Sequence, residues 1–150
     1  MPHGRPALDG IRILDFTRAQ QGPFATMLLC DMGAEVIKVE PPGGEQGRAN
    51  GLGPDGFSSY FEGHNRGKRS ITLDLRVAEA IDIVRRLVPS CDVVVENFRP
   101  GVMEAMGLGY ESLRLLRPDI ILASASAWGR SGPWAERPGY DHVAQALSGV

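Results

Sequence analysis

The sequence predicts an α/β domain built on a largely parallel sheet. Two observations carry this. Short runs rich in β-branched residues recur at 11–16, 35–40, 70–75, 92–98 and 120–126. Between them lie helix-like stretches, clearest at 77–88, where Ala80, Ile81, Val84, Leu87 and Val88 fall at helical spacing. Strands alternating with helices close into a parallel sheet through right-handed crossovers.

Each element has its own reason. Residues 11–16 hold Ile11, Ile13 and Phe16, a strand composition. Residues 17–22 read as a loop. Pro23 suits the first turn of a helix over 24–32, which Gly33 ends. Val36, Ile37 and Val39 mark the second strand. Residues 41–56 are rich in Gly, Pro and polar side chains and read as a long loop. Residues 57–65 suit a short helix and 66–69 a solvated basic turn. Pro89 ends the helix at 77–88. Val93, Val94 and Val95 form a buried-strand signature. Short helices follow at 102–106 and 110–116. After the strand at 120–126, a Gly/Pro loop leads to a last helix at 140–147.

Composition narrows the classes. A net charge of −2 points to neither nucleic acid nor an anionic membrane. No apolar run approaches the roughly 18 residues of a membrane span, and the N-terminus lacks a signal-peptide core. A cytoplasmic location is expected. Cys30 and Cys91 read as small buried hydrophobes, and no Cys/His spacing suggests a metal. Residues 144–150 read as a helix running into further core, so a piece of a longer product is expected.

In parallel sheets, ligands bind outside the carboxyl ends of the strands. That selects the loops at 17–22, 97–101 and 127–132. In the first, Gly22 allows close backbone approach and Gln20 and Gln21 suit a carbonyl or carboxylate; alternatively the loop only caps a helix. In the second, Asn97 suits an amide or adenine edge, Phe98 stacking, and Arg99 a phosphate; alternatively it is a strand-end turn. The basic turn Arg66-Gly67-Lys68-Arg69 suits phosphate less well than solvent. His64 and His142 read as satisfied surface or interface residues. No G-x-G-x-x-G follows the first strand, which argues against a dinucleotide-binding domain.

Taken together, five ordered segments resemble family III coenzyme A transferases. They are residues 8–17 followed by Gly22-Pro23, residues 33–40, residues 68–75, residues 94–101, and Gly139-Tyr140-Asp141. The resemblance implies a Rossmann-like, largely parallel sheet with helices on both faces, residues 1–150 being the N-terminal coenzyme-binding portion of the large domain. It implies an acyl-CoA:carboxylate CoA-transferase acting on acyl-CoA and a carboxylic acid. Coenzyme A is then a substrate, with no permanent cofactor, no metal, no nucleic acid and no membrane, and the full-length form is an interlocked homodimer. An Asp attacks the thioester, forming a mixed anhydride as coenzyme A leaves. By the family's order that Asp falls past Val150, and Asp141 does not replace it.

Carried over by position, Gln20 is similar to the family's active-site glutamine, and Tyr60 and Tyr140 to acyl-pocket residues. Ala19, Leu73, Arg76, Asn97 and Phe98 are similar to coenzyme contacts. Pro41 and Ala105 stand where several relatives carry basic residues. Two alternatives stay open: an inactive relative or partner subunit, and a 2-methylacyl-CoA racemase. The racemases carry His at the Tyr140 position, which favours the transferase.

Overall fold

The structure, a computed structural model, describes residues 4–149. Its strands are β1 (Arg12–Asp15), β2 (Glu35–Glu40), β3 (Arg69–Thr72), β4 (Val93–Glu96) and β5 (Ile121–Ser124). Its helices are α1 (Gln21–Asp31), α2 (Ser59–Asn65), α3 (Ala78–Leu87), α4 (Val102–Ala105), α5 (Tyr110–Leu116) and α6 (Asp141–Ser148). The strands form one parallel sheet in the order β3-β2-β1-β4-β5. The chain moves outward from β1 to β3, then returns to the other side of β1 for β4. Strand order therefore reverses between β1 and β4, where α/β sheets place ligands.

The period of two along each strand sends alternate residues to opposite faces. Leu14, Val39 and Val94 join Ala80, Ile81 and Val84 of α3, with Leu108 and Leu113, in the larger core. Ile13 and Val36 face the other way, with Ala34 and with Leu29 and Cys30 of α1. Helices thus cover both faces, as the resemblance implies.

Local chemistry sets the boundaries of α1. It begins at Gln21, earlier than proline alone suggests, and keeps Pro23 in its first turn. Gly33, at φ 105°, ends it in a conformation that side-chain-bearing residues rarely adopt. Gly22 is buried against the Thr17 side chain, and a Cβ there would meet Thr17 Cβ at 2.4 Å. Its close approach is to the protein's own loop.

The segment 41–56 is the long loop expected from the sequence, but it packs onto the protein rather than standing free. Glu45 and Gly47 are buried around a short 3-10 turn at Gln46–Ala49, and Glu45 accepts from Gly47 N–H. A buried charge holds it down, which composition does not reveal. At the opposite edge, β5 leaves Ile121 59% exposed, and α6 buries none of its residues. Among the described residues, no helix is long and apolar enough to cross a membrane.

Candidate active site

A cleft of about 360 Å³ opens at the carboxyl ends of β1 to β4. Arg18 follows β1, Val39 to Pro42 close β2, Leu73 to Arg76 follow β3, and Phe98 follows β4. Three of the residues selected from sequence, Leu73, Arg76 and Phe98, meet here. The 127–132 loop does not line it; the turn after β3 does.

The walls are mixed. Leu73 is buried and joins the larger core, and Phe98 packs against that core from the cleft side. Phe98 N–H donates to Glu96 Oε2 at 2.7 Å, which anchors the backbone that carries the ring. The Arg18 guanidinium lies 5.0 Å from the Phe98 ring centroid, within cation–π range. Arg76 makes a two-point contact with Asp74, at 2.8 and 2.7 Å. Hydrogen bonds from the Arg76 side chain and backbone hold the Asp74 carboxyl down at about 2. The Arg76 side chain is 85% exposed, so it can turn toward an anionic ligand at little cost.

The other sequence-selected residues fall elsewhere. Asn97 sits beside the cleft with both ends of its amide on Arg18: Oδ1 accepts from Arg18 N–H at 2.9 Å, and Nδ2 donates to Arg18 C=O at 2.9 Å. Ala19, next in the chain, has φ 64° and is the one non-glycine residue with positive φ among the described residues. Gln20 precedes α1 and is exposed, and its side chain caps no amide of that helix. Arg99 is exposed and lies outside the cleft lining.

Tyr60, on α2, stacks on His64 with centroids 4.5 Å apart, and Phe24 meets the same imidazole edge-on at 5.9 Å. Burial, then the nearby Glu45 charge, pushes the Tyr60 phenol up. Tyr140 precedes α6 and is 75% exposed, away from the cleft.

Beneath the cleft lies a buried ionic layer that the sequence reading missed. Asp15 is fully buried. Its Oδ1 accepts from Thr17 N–H and Oγ1 at 2.8 and 2.5 Å, and its Oδ2 from Thr26 Oγ1 at 2.7 Å and Lys68 Nζ at 3.0 Å. Lys68 also donates to Asn65 Oδ1 and Pro23 C=O. Burial pulls its ammonium down, against the pull of Asp15. The expected solvated turn is therefore corrected: the Lys68 side chain is 2% exposed, Arg66 pairs with Asp31, and Arg69 pairs with Glu35.

Lys38 donates to Thr17 C=O at 2.8 Å and sits 3.0 Å from Glu45 Oε2. That oxygen accepts no directed hydrogen bond, so the second contact is one of charge. Burial alone would raise the Glu40 carboxyl. Hydrogen bonds from Arg48, Ser70 and Glu45 N–H outweigh it and hold the group at about 2. A signal was present in the sequence: Asp15 and Lys38 each sit between two apolar residues inside a strand candidate.

Comparison with known proteins follows the same segments. The model of CoA-transferase family III matches residues 8–150. A succinate–glutarate CoA-transferase of Agrobacterium fabrum is 45% identical over 99% of this chain and 39% of its own length. The human succinyl-CoA:glutarate CoA-transferase is 47% identical over 95% of this chain and 33% of its own. A crystal structure of a CAIB/BAIF family protein from Brucella suis superposes with a TM-score of 0.91 at 44% identity, covering 98% of this chain and 40% of that one. The chain thus spans about two fifths of the length of such relatives. A parallel sheet with a cleft at its switch point and a family match along nearly the whole sequence agree, and this chain belongs to CoA-transferase family III.

Proposed function

We propose that this chain is the coenzyme-binding portion of an acyl-CoA:carboxylate CoA-transferase. One observation carries the reading: the cleft brings Arg18, Arg76, Leu73 and Phe98 to the carboxyl ends of four parallel strands. Guanidinium groups suit the phosphates of coenzyme A. The Phe98 ring and the Leu73 side chain suit its adenine. Pro41 on the rim supplies no cation, so Arg18 and Arg76 carry the phosphate interaction.

In this reading the carboxylate that attacks the thioester is supplied by chain outside these residues. Gln20 contacts the acyl or carboxylate group, and Tyr60 and Tyr140 join the acyl pocket once further chain covers them. A second copy in an interlocked dimer would cover β5 and α6. A cytoplasmic location goes with soluble thioester substrates.

The test is a calorimetric titration of coenzyme A into the chain, after circular dichroism establishes that it is folded. Saturable binding is expected, weakened about tenfold by Arg76→Ala through loss of a charge-assisted contact. A folded chain that takes up no coenzyme A overturns the assignment of this cleft.

A further inference from the structure

We infer that Asn97 is a positioning residue that acts on the ligand through Arg18, rather than a direct coenzyme contact. The inference rests on coenzyme A occupying the cleft proposed above. Its two amide hydrogen bonds, both 2.9 Å, tie Oδ1 and one Nδ2 hydrogen of Asn97 to the two backbone groups of one residue, which fixes the side chain on Arg18. The preceding residue is held in the same way from below. Thr17 N–H donates to Asp15 and Thr17 C=O accepts from Lys38, each at 2.8 Å.

Side chains from β1, β2 and the end of β4 therefore occupy every backbone polar group of Thr17 and Arg18. The chain then enters Ala19 at φ 64°. A left-handed alanine costs roughly 1–2 kcal/mol, so it persists only where neighbours fix the backbone on either side. Asn97 supplies that constraint nearest the strain. Without it, Ala19 relaxes to negative φ, and the Arg18 guanidinium leaves the Phe98 face that it now covers at 5.0 Å.

The test has two readouts on the isotope-labelled 150-residue chain. The first needs no ligand: the Ala19 carbon shifts report its left-handed conformation, and Arg18 amide exchange reports the bond to Asn97. Asn97→Ala moves the Ala19 shifts toward ordinary values and speeds Arg18 exchange. Asn97→Asp keeps the acceptor but sets a carboxylate oxygen against Arg18 C=O, and it keeps the experiment readable if the alanine variant unfolds. Unchanged Ala19 shifts in a folded Asn97 variant overturn the inference.

The second readout is a double-mutant cycle in coenzyme A binding. Asn97→Ala and Arg18→Ala each weaken binding about tenfold, and the double variant about tenfold as well, because both remove the same contact. A double variant about a hundredfold weaker means that Asn97 touches the ligand itself, which also overturns the inference. If the unmodified chain binds no coenzyme A, the proposed function fails, while the Ala19 shifts still decide whether the clamp exists.

Discussion

The two edges of the sheet obey opposite rules. At the β2–β3 edge, segment 41–68 closes over the sheet and buries Glu45, Lys38, Lys68 and Asp15 side chains to 2% exposure or less. At the β5 edge, Ile121 is 59% and Leu147 57% exposed, and α6 makes its turns without burying a residue. The contrast teaches that the charged edge finds its partners within this chain, whereas the apolar edge stays exposed in it. A buried ion in the first region has its counterion and hydrogen bonds within reach. An apolar side chain in the second has only solvent.

The sharpest way to break that contrast is Asp15→Ala. It strips Lys68 of its carboxylate and leaves an uncompensated ammonium in the interior, for a loss of about 3–5 kcal/mol. Urea denaturation checks this, and a loss below about 1 kcal/mol would mean that water reaches Lys68. The apolar counterpart is Leu108→Ala. Leu108 is fully buried in the larger core, so the cavity should cost about 2–5 kcal/mol, read in the same melts.

Acid sharpens the comparison further. The folded-state pKa of Glu40, at about 2, lies below its ordinary 4.5. The carboxylate therefore contributes stability that is fully present above about pH 4.5 and is lost as pH falls toward about 2. Glu40→Gln should flatten the urea-midpoint profile across that window, while parallel profiles would show that the Arg48 contact is absent in solution. The smallest effect belongs to the open edge. Leu147→Ala on α6 should change stability by no more than about 0.5 kcal/mol, and a loss above about 1 kcal/mol would mean that α6 is packed in solution.

Much of the fold was legible in the sequence because it rests on local signals. Val93, Val94 and Val95 announce β4, the 3.6-residue spacing from Ala80 to Leu87 announces α3, and Pro23 and Gly33 bracket α1. Phe98 was identifiable from its place at a strand end, whereas Leu73 and Arg76 were reached only through the family resemblance, because the strand-end argument chose the 127–132 loop instead of the turn after β3. Asn97 was legible as a residue of interest but not in its use: its partner, Arg18, lies 79 positions away. Lys68 read as a solvated cation because nothing near it in sequence neutralises it; Asp15, which does, is 53 positions distant.

The sequence by itself determined the order and kind of the elements and the family. Each depends on periodicity, turn chemistry or ordered motifs that are properties of contiguous residues. Only the tertiary structure decided the switch point between β1 and β4, which charges are buried, that the 41–56 loop packs around Glu45, that Asn97 binds backbone, and that Tyr140 stands apart from the cleft. The reason is physical: whether a polar group is stable in the interior depends on the partner that folding brings within about 3 Å, and the strand order that brings it there joins residues far apart in the chain.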